Sequence, residues 1–93
     1  MINEKVEKES LTRLTKIEGQ IKGIARMIRE RRYCIDVILQ IAAAEAALHK
    51  VSEIIMRNHL ETCVLDAFRS YDEEKRKEKV DELMQVYTKL RMR

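Results

Sequence analysis

The sequence contains no proline and only two glycines, Gly19 and Gly23. Without these breakers the chain has few places to turn sharply, which argues against a fold built of many short strands. It also lacks any apolar run near the ~20 residues needed to span a bilayer. The opening MINEKVEKES has no apolar centre of the kind a secretory signal requires, so a cytoplasmic protein with no membrane partner is expected. No nucleophile paired with a base and no glycine-rich phosphate loop is present, so nothing points to an enzyme. Cysteine is scarce too. The two residues, Cys34 and Cys63, read as reactive or metal-binding thiols in a reducing compartment rather than as a structural disulfide.

What remains is rich in Ala, Leu, Ile, Met, Glu, Lys and Arg, the residues that cost least in a helix, and an all-α fold follows. Leu14, Ile17, Ile21, Ile24 and Ile28 recur in steps of 3, 4, 3 and 4, a bundle-type seam. They define a first helix over residues 11–28 with Ser10 as N-cap, residues 1–9 being a flexible arm. The seam breaks at Glu30-Arg31-Arg32-Tyr33 and resumes in another phase after Cys34. From Cys34 to Ser70 the rhythm continues around the block Ala42-Ala43-Ala44-Glu45-Ala46-Ala47. Such a helix would extend roughly 50 Å, too long for the chain's two other helices to cover. A turn at Ser70-Tyr71-Asp72 leads into a third helix with Val80, Leu83, Tyr87 and Leu90 on its seam. A single domain of 93 residues buries little surface by itself, so oligomerisation is the expectation.

His59 and Cys63 stand four residues apart, on one helical face, close enough to chelate a single ion. Cys34 lies about 37 Å away along the same helix and cannot join them in cis. Two copies of the helix packed antiparallel about a two-fold axis would bring Cys34 opposite the midpoint of the pair, with the axis near residues 47 and 48. That is the edge of the alanine block, where small side chains let backbones approach. The implied site joins Cys34 of one subunit to His59 and Cys63 of the other. Two thiolates and one imidazole suit Cu(I); Zn(II), which usually takes a fourth ligand, is the main competitor. Tyr33 either supplies a supporting hydrogen bond beside Cys34 or caps the bundle end, and His49 is structural.

The net charge is only +3, but its distribution is uneven: residues 11–32 carry seven basic and two acidic side chains. Lys22, Arg26 and Arg29 share one face of the first helix, with Arg13 and Lys16 at its N-terminal end. No helix-turn-helix is evident, so DNA contact through this surface would act on phosphates and shape.

The stretch Leu14-Thr15-Lys16-Ile17-Glu18-Gly19-Gln20-Ile21-Lys22-Gly23-Ile24-Ala25-Arg26-Met27-Ile28, with Tyr33-Cys34 and the later His59 and Cys63, closely resembles the copper-sensing operon repressor family. The similarity runs over residues 10–90. It implies a three-helix protomer, an antiparallel helical-bundle dimer and a dimer of dimers, that is, a homodimer or homotetramer. It further implies a Cu(I) site of Cys34, His59 and Cys63 that bridges subunits, and operator DNA released when Cu(I) binds. The family's DNA-contacting positions fall on Arg13 and on Lys50, where Arg would be expected, alongside Lys16, Lys22 and Arg26. A glutamate of the third helix completes the metal surroundings; Glu78 and Glu82 are the candidates, with Glu82 preferred. Nickel and cobalt sensors carry a further His near the N-terminus or lack the last Cys, formaldehyde sensors lack the second thiol, and persulfide sensors lack the His. The copper branch therefore fits best. The other readings are a thiol- or persulfide-responsive or Zn/Ni-responsive repressor of the same family, and a helical copper-binding protein with no DNA role.

Overall fold

The computed structural model describes residues 1–91, and among them every regular element is helical. Helix α1 runs Glu4–Arg29 and helix α2 runs Cys34–His59. A π-helical turn, Leu60–Val64, follows without a break and passes into the short α3, Leu65–Arg69. Helix α4 spans Glu73–Arg91. The long second helix expected from the sequence is thus one helical run with a π turn set into it. The mark of that turn is Leu65 N–H, which donates to Leu60 O, five residues back.

The chain falls into two compact units, Ile2–Asn58 and the segment from His59 onward together with Met1. In the first, α1 and α2 make an antiparallel hairpin. Helix α1 begins earlier than Ser10, because Asn3 supplies the cap: its side-chain oxygen accepts from Val6 N–H at 2.9 Å. Residues 4–9, expected to be a flexible arm, are therefore helix, with Glu4 and Glu7 placed favourably at its positive end. Ser10 caps nothing and is buried inside the helix, its hydroxyl without a hydrogen-bond partner.

Register in the hairpin is set at its open end, where Asn3 Nδ2 donates to Asn58 Oδ1 at 2.8 Å. Moving seven residues along each helix from that pair gives Ser10 level with Val51, and seven more gives Ile17 level with Ala44. These four and Asn58 are the buried residues of the two helices, a heptad-like seam. The expected apolar seam of α1 is covered unevenly: Ile17 is 3% exposed, Leu14 and Ile24 are half-buried, and Ile21 and Ile28 lie open. Along α2, Ile35, Ile38, Leu39 and Leu48 are each 44–60% exposed. An apolar face of this extent marks an interaction surface.

The hairpin bend contains no glycine. Glu30 closes α1, Arg31 N–H donates to Ile28 O, Arg32 N–H donates to Met27 O, and Arg31 itself sits at φ 54°. This is the Schellman termination with Arg in the left-handed position that glycine usually fills.

In the second unit, Tyr71 takes the left-handed conformation after α3, with φ 59°. Asp72 then starts α4, its carboxylate accepting from Glu74 N–H and Lys75 N–H. Arg76 ties the two helices together. Its guanidinium donates to Phe68 O at 2.8 Å and lies 5.8 Å and 5.5 Å from the ring centres of Phe68 and Tyr71. Val64 and Ala67 are the buried apolar residues there.

Candidate functional site

His59 is the last residue of α2 and Cys63 lies inside the π turn that follows. A π turn is wider than an α turn and is often retained where a side chain must be aimed for function. The His59 imidazole is met from α4: its Nε2 stands 3.0 Å from Glu82 Oε1, the two atoms lying off the hydrogen-bonding axis. Of the two glutamates singled out in the sequence, Glu82 therefore faces the histidine. Glu78 instead lines a cavity of about 360 Å³ with Cys63, Asp66, Ser70, Lys75 and Lys79. With Nε2 turned to a carboxylate, Nδ1 is the nitrogen left for a ligand, the usual division of labour in a metal-binding imidazole.

Cys63 is a free, half-buried thiol. The terminal ammonium of Met1 donates to its sulfur at 2.9 Å and Thr62 Oγ1 lies 3.7 Å away. These two hydrogen bonds, helped by the charge of the ammonium and of Lys79, hold the thiol below its ordinary pKa and favour the thiolate that a soft metal requires. Cys34 is a free, exposed thiol at the first position of α2, and the neighbouring Tyr33 is 69% exposed. Among the described residues, no three His, Cys, Asp or Glu side chains of the single chain converge closely enough to hold a metal. His49 is occupied on the surface of α2, its Nε2 3.2 Å from Glu53.

The basic residues separate into groups. Arg13 and Lys16 line an open groove of about 690 Å³ together with Lys5, Lys8 and Glu9, closed on the other side by Ala47. Arg13 is held within it by Glu9 at 3.5 Å. Lys22 and Arg26 are exposed farther along α1, and Lys50 sits 3.8 Å from Glu53 on α2. Lys5 and Lys8 are cations of this groove that the sequence pattern does not single out. Their spacing with Thr12 and Lys16 places all four on one helical face, a signal that emerges only once residues 4–9 are known to be helix.

Comparison with known proteins gives a consistent picture. Residues 6–89 match the family described as metal-sensitive transcriptional repressor. The copper-sensing transcriptional repressor CsoR of Bacillus subtilis (strain 168) is 40% identical over 84 residues, 89% of this chain and 80% of that protein. The copper-sensing transcriptional repressor RicR of Mycobacterium tuberculosis is 51% identical over 55 residues, 59% of this chain and 57% of its own length. Among solved structures, the copper-sensing repressor CsoR with Cu(I) from Geobacillus thermodenitrificans NG80-2 superposes with a TM-score of 0.84 at 34% identity, covering 95% of this chain and 88% of that one. The nickel-responsive transcriptional regulator InrS gives 0.76 at 30% identity, with 86% and 90% covered. With a family match across nearly its whole length and a helical architecture shared with two solved regulators, this chain belongs to the metal-sensitive transcriptional repressor family.

Proposed function

We propose that the protein is a cytoplasmic, Cu(I)-responsive repressor that holds operator DNA in its metal-free form and lets go when Cu(I) binds between subunits. The site joins Cys34 of one protomer to His59 and Cys63 of its partner. The observation that carries this reading is the set His59, Glu82 and Cys63: an imidazole with one nitrogen engaged by a carboxylate, followed one helical turn later by an acidified thiol. The donor set fits a soft monovalent ion, being two free thiols and one imidazole. Cys34, His59 and Cys63 would hold Cu(I), which would supply a soft cation for the thiolates and imidazole to share. Everything else falls to the chain. Glu82 orients the ring of His59, and Lys79 and the Met1 ammonium keep Cys63 ready to ligate.

The need for a second copy follows from length. Cys34 opens α2 and His59 closes it, and a 26-residue helix separates its two ends by about 37 Å. The exposed Ile35, Ile38, Leu39 and Leu48 supply an apolar face for an antiparallel partner helix. DNA contact is assigned to the cations of α1, with Arg13 and Lys16 in the groove and Lys22, Arg26 and Lys50 beyond it. Lys5 and Lys8 join them. Contacts of this kind neutralise phosphates rather than read bases.

An anaerobic Cu(I) titration of the wild type and Cys34→Ala tests the reading, following thiolate-to-copper absorbance and binding to the DNA upstream of the protein's own gene. The wild type should bind Cu(I) and lose DNA together, and the variant should do neither at the same Cu(I) level. Tight Cu(I) binding with unchanged DNA affinity would overturn it. A second reading, a thiol- or persulfide-responsive repressor, draws on the acidified Cys63 facing a cavity with Lys75 and Lys79. His59→Ala separates the two, abolishing a copper response and sparing a purely thiol one.

A further inference from the structure

The hairpin places one side chain where the metal-binding end of α2 and the DNA-binding end of α1 meet. Asn58 directly precedes His59 in the chain, is 4% exposed, and accepts from Asn3 Nδ2 at 2.8 Å. The other side of the Asn3 amide starts α1, its oxygen accepting from Val6 N–H at 2.9 Å while its backbone carbonyl accepts from Glu7 N–H at 2.9 Å. Lys5 and Lys8 lie in the first turns that this cap organises, and Arg13 and Lys16 follow in the same groove. One residue thus grips the neighbour of a metal ligand with one atom and fixes the helix bearing the phosphate-facing cations with another.

We propose that Asn3 is the positioning residue through which the metal state of His59 reaches the cation groove of α1. The proposal rests on the repressor reading above and adds its relay.

The chemistry of the seam favours this pair as the relay. Level with one another below it stand Ser10 and Val51, then Ile17 and Ala44. None of those rungs has a directional bond across the hairpin to lose. A buried Asn–Asn pair in a helical seam contributes little stability and much register, because its hydrogen bond tolerates no axial slip. The groove is built across the same hairpin, from Lys5 to Lys16 on one side and Ala47 on the other, so its shape depends on that register. Immediately after His59 the backbone enters the π turn. A π turn holds one residue more than the α turn it replaces, and exchanging the two is a discrete change that a ligand engaging His59 and Cys63 can bias. Asn58, one residue before that turn, carries the change to Asn3.

The relay and the cap are separable by substitution. Asn3→Ser retains an N-cap oxygen of nearly equal quality but has no amide to reach Asn58. Asn3→Ser, Asn58→Ser and the double variant are compared with the wild type, circular dichroism confirming equal helicity. Two quantities are read under anaerobic conditions. One is affinity for the upstream duplex with and without Cu(I); the other, without DNA, is amide hydrogen exchange across residues 4–16. Asn3→Ser should bind the metal-free duplex nearly as well as the wild type while its Cu(I)-dependent loss of affinity shrinks by about tenfold, within the usual span of allosteric coupling. Adding Asn58→Ser should shrink the Cu(I) response no further, since both substitutions remove the same Asn3–Asn58 bond. Cu(I) should alter exchange in residues 4–16 of the wild type and leave it unaltered in Asn3→Ser. Wild-type release and exchange response in Asn3→Ser would overturn the relay and leave the repressor reading intact. A wild type that keeps its DNA in Cu(I) would instead overturn the repressor reading, and the relay with it.

Discussion

Glu82→Gln isolates what the carboxylate contributes to the proposed metal site, since it retains the shape of the side chain and removes the charge. The carboxylate stands 3.0 Å from His59 Nε2, so its loss weakens the orientation of the ring that leaves Nδ1 as the proposed ligand atom. Removing such supporting groups costs about 10–100-fold in metal affinity. Solvent access decides where in that range this pair falls. The side chains of His59 and Glu82 are 28% and 51% exposed, so water screens the interaction and the lower end applies, about tenfold or about 1.4 kcal/mol. Glu78→Gln is the control, because Glu78 lines the cavity beside Cys63 whereas Glu82 is the glutamate that faces the imidazole. Competition against a chromophoric Cu(I) chelator, without oxygen and at fixed pH, measures both. A Glu82→Gln affinity equal to wild type, or a larger loss in Glu78→Gln, would refute the assignment of Glu82 as the group that orients His59.

Other substitutions test the fold and the proposed DNA surface. Ser10→Ala removes a buried hydroxyl without a partner and should stabilise the metal-free protein by about 1 kcal/mol. Thermal unfolding at fixed protein concentration checks it, and a lowered Tm would show that the hydroxyl is satisfied. Arg31→Gly relieves a left-handed conformation and should add about 1 kcal/mol, read from the denaturant midpoint; a loss would mean that the Arg31 side chain holds the bend. Ile17→Ala, at the best-buried large apolar position, should cost about 2–5 kcal/mol by the same measurement. Replacing Lys5 and Lys8 together by Gln should reduce the slope of log affinity against log salt by roughly 2, about 0.9 for each lost phosphate contact. An unchanged slope would place the duplex elsewhere.

The helices were legible in the sequence because periodicity reports which residues repeat on one face. Their ends were less so. The bend after α1 is closed by Arg31 in a conformation that glycine normally marks, and nothing in a run of arginines announces it. The start of α1 was displaced because Asn3, Ser10 and Asp72 are all cap-forming residue types, and only the fold shows that Asn3 and Asp72 cap while Ser10 is buried. The π turn at Leu60–Val64 is made of residues that also suit an α-helix, so periodicity passed through it. In the candidate site, the His59 and Cys63 spacing was readable as local geometry. Glu82 was reached through the family resemblance, and its contact with His59 depends on how α4 returns, which no local pattern encodes. Lys5 and Lys8 were hidden by the reading of residues 1–9 as an arm.

The thinness of the interior has a consequence for the cell as well as for the fold. Among the described residues the buried apolar ones are Ile17, Ala44, Val51, Val64 and Ala67, four of the five no larger than valine and two of those four alanine. In the proposed assembly a chain with so small a private interior would owe most of its folding free energy to association, making the lifetime of each copy a function of how many copies are present. Newly made protomers below the association threshold would be substrates for proteolysis, while assembled ones persist. Repression would then switch on sharply with synthesis rather than in proportion to it, a threshold written into the hydrophobic balance of the hairpin before any metal is sensed.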